Sequence, residues 1–235
     1  MSDTPSSPRN AWIPHVIPYV AWIFIMGLLG DPTGWKYVLR SILCLALLFA
    51  CRPWRFSYPK LNPKHLPGAT LAGLAVLVIW VLPETDFFTR FETLHRLYLR
   101  IGHLMPWEMA QPLEMVRYAP DTDGWLFALG RLAGSALVIA VIEEFFWRSW
   151  LTRWVEKEDF LSVDPGAVSW KSILIASALF ATTHVRWIAG FLCGILWGWY
   201  YRKTRDIWAV AWAHILCNGL LGAYVLWSGK WEFWA

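Results

Sequence analysis

The sequence predicts an all-α membrane protein, a polytopic bundle of about seven transmembrane helices, and three observations carry that expectation. Hydrophobic residues make up 57% of the 235-residue chain and charged residues only 16%, where a soluble domain carries about a quarter charged. Apolar runs long enough to cross ~30 Å of hydrocarbon recur along the chain. Nineteen tryptophans are present. Many of them, including Trp12, Trp35, Trp54, Trp125, Trp170 and Trp208, flank those runs where an interfacial aromatic belt belongs.

Taken in order, residues 1–11 read as a polar tail and 12–235 as a single membrane-embedded domain. The spans fall at 12–30, 36–51, 67–83, 126–152, 170–186, 187–203 and 207–228. The first lacks a basic start and a small-residue cleavage site, so it reads as a retained span rather than a signal peptide. Arg52, Arg55, Lys60 and Lys64 follow the second span with no acidic residue among them, and Arg202, Lys203 and Arg205 follow the sixth. Both loops fall on one side of a seven-span chain, which makes that side, and the N-terminus, cytoplasmic. The net charge of +4 is thereby a topology signal and not a nucleic-acid footprint.

Residues 84–124 form the expected external segment. Within it Phe87, Phe88, Phe91, Leu94, Tyr98 and Ile101 recur at helical spacing opposite Arg90, Glu92, Arg96 and Arg100, the pattern of an amphipathic helix on the membrane surface. An eighth span is the alternative. Gly190, Gly194 and Gly198, and again Gly130 and Gly134, give small-residue stripes for close helix approach. Cys44, Cys51, Cys193 and Cys217 have no metal-type spacing and read as free thiols in apolar spans.

Polar islands in these apolar runs are costly and mark functional sites by default. Glu143 and Glu144 end the run 134–142, and Arg148 follows Glu144 at the spacing of an ion pair on one helix face. Successive residues of an α-helix point about 100° apart, so the two glutamates are not expected to face one cavity squarely. Glu144 and Arg148 then form a structural pair, leaving Glu143 as a free carboxylate in apolar surroundings, suited to act as a base. For the doublet alone, a cluster at the water interface is an equal reading. His184 lies in Phe180-Ala-Thr-Thr-His184, and His214 shares a helix face with Asn218, a donor pair suited to an oxyanion or else a polar clamp between helices. At ~1.5 Å rise per residue, Glu143, His184 and His214 lie roughly 12 to 20 Å from the cytoplasmic helix ends. That agreement favours one shared site.

The ordered set Glu143-Glu144-Phe-Phe-Trp-Arg148, Phe180-Ala-Thr-Thr-His184 and His214-Ile-Leu-Cys-Asn218 resembles the motifs of the CPBP family, which includes CAAX-processing prenyl endopeptidases and bacterial proteins linked to bacteriocin self-immunity. The resemblance covers about residues 126–228. It implies an intramembrane glutamic endopeptidase of the bacterial inner membrane, acting on a peptide or protein substrate. In it Glu143 activates water, His184 assists, and His214 with Asn218 stabilises the tetrahedral oxyanion. Glu144, Arg148 and Phe180 are support, and no cofactor is implied. The segment before the fifth span is similar to that of the bacterial CAAX protease-related subgroup associated with exosortase/PEP-CTERM sorting, which implies a substrate bearing a C-terminal signal. Three other readings stay open: a non-catalytic peptide-binding, immunity or scaffold protein, a zinc protease using Glu143, His184 and His214 as ligands, and a proton-coupled transporter.

Overall fold

A computed structural model describes residues 10–30, 34–56, 58–103 and 119–234. Most of the polar tail and residues 104–118 of the external segment lie outside the described residues. The chain is a helical membrane bundle, with no strand among the described residues. Its principal helices are α1 (Ile13–Leu29), α2 (Trp35–Cys51), α3 (Leu66–Val81), α4 (Glu92–Ile101), α5 (Trp125–Trp154), α6 (Trp170–Ala181), α7 (Trp187–Thr204) and α8 (Ile207–Ser228). Each expected span has its helix. Among the described residues, four stretches are long and apolar enough to cross a membrane: Trp35–Arg55, Pro63–Glu84, Trp125–Trp154 and Ile207–Ser228. α1 and α6 are apolar but shorter.

Helix α5 runs through the middle, packed on α1, α2, α6 and α8, while α6 and α7 form a hairpin and α3 lies along α8. Large apolar side chains such as Phe24, Leu71, Leu126 and Trp227 face outward. In a bundle that meets lipid on its flanks, exposed apolar surface is the matched surface.

Contact inside the bundle depends on small residues. A Cβ on Gly194 of α7 would lie 2.8 Å from the Ser177 side chain of α6, which explains one glycine stripe as the seam of that hairpin. The tightest approach between α3 and α8 was not legible as a stripe. A Cβ on Gly73 would come within 2.6 Å of the Ala213 carbonyl oxygen, one residue before His214.

Both basic loops meet at one end of the bundle, as the span count requires. Asp206 is the link. One of its oxygens caps α8 by accepting from the Trp208 and Ala209 backbone N–H groups, each at 3.1 Å. The other accepts from Asn62 N–H and His65 Nδ1, both at 2.9 Å. On the same side, buried His15 of α1 hydrogen-bonds Tyr58 at 2.8 Å, and Tyr58 in turn bonds the Ser149 hydroxyl of α5.

Three local expectations need correction. The helix expected over 170–186 ends at Ala181, because Thr182 and Thr183 turn their hydroxyls back onto the Leu179 and Phe180 carbonyls and compete with the helix ladder. α5 is not a uniform α-helix: Gly134–Ile139 and Glu144–Leu151 are wound as π-helix around a short α segment, Ala140–Glu143. The surface helix α4 has ten residues, a length of ~15 Å that cannot cross a bilayer. Phe87, Phe91, Leu94 and Ile101 are exposed as expected, but Tyr98 turns inward onto the His103 ring, with centroids 5.4 Å apart.

Replacing Gly73 by alanine should overpack the α3–α8 seam and cost about 1 to 3 kcal/mol. A thermal melt of detergent-purified protein, followed by monodispersity on size exclusion, measures it. An unchanged melting temperature would mean that α3 is free to shift away from α8.

Candidate active site

Glu143 and Glu144 lie at the junction where α5 passes from α to π winding, and both reach the same imidazole on α8. The Glu144 carboxylate accepts from His214 Nδ1 at 2.8 Å, while Glu143 Oε2 stands 3.7 Å from His214 Nε2. The expectation from a regular 100° turn was that the doublet would divide between faces. They do divide, since Glu143 lines the cavity and Glu144 does not. Because the two ring nitrogens lie on different edges of the imidazole, one side chain meets each edge beside the π turn that begins at Glu144. Single π turns of this kind concentrate at functional sites.

Glu144 also carries the expected ion pair. Its Oε1 lies 3.2 Å from Arg148 Nη1, with both side chains buried. The pair lacks hydrogen-bond alignment, since Glu144 Oε2 and both terminal nitrogens of Arg148 have no hydrogen-bond partner. The guanidinium lies over two aromatic faces instead, 4.5 Å from the Phe180 ring centroid and 5.2 Å from that of Trp197. Phe180 thus supports two site residues, because its ring also lies 4.4 Å from that of His184. Trp197 does the same for Arg148 and His214, whose ring centroid is 4.2 Å away.

His184 sits in the turn 182–186 rather than on a helix. Its Nδ1 donates to the Phe180 carbonyl at 2.9 Å, and the ring packs edge-on against Trp80 at 5.4 Å. A neutral His184 with Nδ1–H so engaged presents a lone pair at Nε2. The turn is itself held from outside. Arg186, two residues on, donates to both oxygens of Glu84 at 2.6 and 2.7 Å and to the Glu232 carbonyl at 2.9 Å. Glu84 also faces His103 Nε2 at 3.1 Å, tying the end of the surface helix to the same node. Neither Glu84 nor Arg186 stood out in the sequence, because each lies beyond an apolar run where charge is ordinary.

Asn218 donates one amide hydrogen to the Ser135 carbonyl at 2.9 Å, which holds the side chain against the first π segment. Glu143, His184, His214 and Asn218 all line one cavity of about 300 Å³, so the structure gathers the four residues singled out in the sequence. The cavity also includes four side chains that sequence reasoning missed: Tyr19 from α1, Tyr37 and Arg40 from α2, and Arg131 from α5. Arg40 and Arg131 were legible in principle, as ionisable residues inside predicted spans. The zinc alternative has no support in this geometry. Among the described residues, no three His, Cys, Asp or Glu side chains gather closely enough to hold a metal ion. All four cysteines are free thiols.

The class defined by this fold and cavity is a helical integral membrane protein with a buried acid–histidine site. Residues 125–220 match the family model described as type II CAAX prenyl endopeptidase Rce1-like, and this region contributes all four of those residues. No curated protein and no solved structure matches the chain.

Arg148→Ala should leave Glu144 buried without its counter-charge and destabilise the fold by about 3 to 5 kcal/mol, as for other broken buried ion pairs. Chemical or thermal unfolding in detergent reads this out, and wild-type stability in the variant would show that His214 alone balances Glu144. Arg186→Gln should act locally. It frees the 182–186 turn, seen as faster amide hydrogen exchange there with that of α8 unchanged.

Proposed function

We propose that this chain is an intramembrane endopeptidase of the glutamic type, hydrolysing a peptide bond with water activated inside the membrane. Supporting this reading is the way the two histidines are held by opposite kinds of partner. The Phe180 carbonyl engages Nδ1–H of His184 and leaves Nε2 as an acceptor, while the Glu144 carboxylate engages Nδ1–H of His214 and complements a protonated ring. One histidine is thus arranged to receive a proton and the other to donate one.

In the proposed cycle Glu143, helped by His184, takes a proton from water as the water oxygen attacks the carbonyl carbon. The developing oxyanion accepts hydrogen bonds from His214 Nε2–H and the second amide hydrogen of Asn218. Collapse of the tetrahedral intermediate breaks the C–N bond, and the proton held by Glu143 passes to the leaving amine. With His214 protonated, Glu143, Glu144, Arg148 and His214 sum to zero charge, so the cluster carries no net charge in low dielectric. No step calls on a metal ion.

The orientation we propose places the N-terminus and the two basic loops joined at Asp206 on the cytoplasmic side of a bacterial inner membrane. The cavity, lined by Trp80 and Phe233 near the Glu84–Arg186 node, then faces the opposite side. A membrane protein carrying a C-terminal sorting signal is the substrate class that suits such a site.

Glu143→Gln tests the reading. At equal membrane abundance it should lower cleavage of a membrane-peptide substrate by about a hundredfold or more, with the melting temperature within a few degrees of wild type. Retained turnover in that variant would refute the glutamic mechanism.

A further inference from the structure

The site cavity has a second pole. Arg40 of α2 is only 4% exposed and lines the same cavity as Glu143, yet no carboxylate pairs with it among the described residues. Its Nε and Nη1 have no hydrogen-bond partner. The guanidinium lies against two aromatic side chains, 4.0 Å from the Trp22 ring centroid and 4.7 Å from that of Tyr37, whose hydroxyl also interacts with it. On the other guanidinium contact of Tyr37, Arg131 lies 4.4 Å from the same ring and also lines the cavity. Arg131 has a backbone partner, the Trp234 carbonyl. Arg40 has no such carbonyl among the described residues.

A buried guanidinium without an anion is costly, and such a group persists where something else completes it. The carboxylates of the other pole are complemented within the protein: Glu143, which lines the cavity, by the imidazole facing it, and Glu144 behind it by Arg148 and His214. The two poles are separated along α5. From Arg131 to Glu143 the helix rises by roughly 18 Å at ~1.5 Å per residue, shortened a little where it is π-wound. An extended peptide advances ~3.3 Å per residue, so a handful of residues would span from one pole to the other.

We infer that Arg40 is an anion subsite of the cavity, one that binds a carboxylate of the peptide whose backbone reaches the acid–histidine pole. The carboxylate belongs either to the chain terminus or to an acidic side chain. A planar guanidinium backed by two rings presents its remaining N–H groups in the fork that suits a carboxylate. The subsite lies on α2, outside the region matched to the peptidase family. The inference rests on the peptidase reading for what happens at the other pole, and on Arg40 alone for the binding.

Binding separates the two. Glu143→Gln protein in phosphatidylcholine nanodiscs, which does not consume its ligand, is titrated calorimetrically with three short apolar peptides: a free acid, its C-terminal amide, and an amide carrying one glutamate. The free acid or the glutamate peptide should bind about tenfold tighter than the plain amide, as a charge-assisted hydrogen bond dictates, and whichever does so names the source of the carboxylate. Adding Arg40→Gln should reduce that preference to less than about twofold. Arg40→Lys, which keeps the charge and guards against a folding defect, should retain a weaker preference. Equal binding of all three peptides, or a preference that survives Arg40→Gln, overturns the inference. So does loss of the preference on adding phosphatidylglycerol, since the arginine would then serve a lipid phosphate. A failed cleavage assay with intact carboxylate preference would instead count against the peptidase reading alone.

Discussion

The Glu144 carboxylate is the interaction on which the site depends. One oxygen atom reaches Arg148 on its own helix and His214 on another, with the whole side chain removed from solvent. Three charges in low dielectric are tolerable only as a group. Removing any one leaves the others without compensation. The tautomer of His214, its approach to Glu143 and the position of α8 against α5 therefore share one cause. Phe180 and Trp197 close the arrangement by covering the guanidinium that water would otherwise have to solvate.

The backbone makes room for this. π winding on both sides of Ala140–Glu143 interrupts the regular ladder of α5 at the glutamate doublet. Thr152 shows the register locally, its hydroxyl donating to the Trp147 carbonyl five residues earlier at 2.7 Å. Irregular backbone at membrane depth persists where it is enclosed by protein or borders a polar cavity. Here it does both, against α1, α2 and α8.

Hydropathy alone made the bundle legible, since lipid imposes helices on any apolar run of sufficient length. The site was legible for a related reason: Glu143, Glu144, His184, His214 and Asn218 stand out because their neighbours are uniformly apolar. What sequence periodicity missed came from the same source. The 100° turn expected for α5 keeps Glu143 on the cavity and Glu144 off it, but it gave no sign that both carboxylates meet one ring of α8. Thr182 and Thr183 look like ordinary span residues until their hydroxyls are seen to end α6. Glu84 acts through Arg186, far away in sequence, and spacing along one helix carries no information about a contact between two.

Helix α6 has twelve residues and reaches roughly 18 Å, against a hydrocarbon layer of ~30 Å. Beyond its end lies the His184 turn, with backbone groups that lipid tails cannot satisfy. The hairpin partner α7 has eighteen residues, so the shortfall is confined to the end of α6, where the membrane must thin locally or admit solvent. The proposed hydrolysis would consume one water per bond, and the end of the short helix beside His184 is the place where that reagent would reach the cavity. The supply of water, no less than the arrangement of acids and bases, is thus written into where one helix stops.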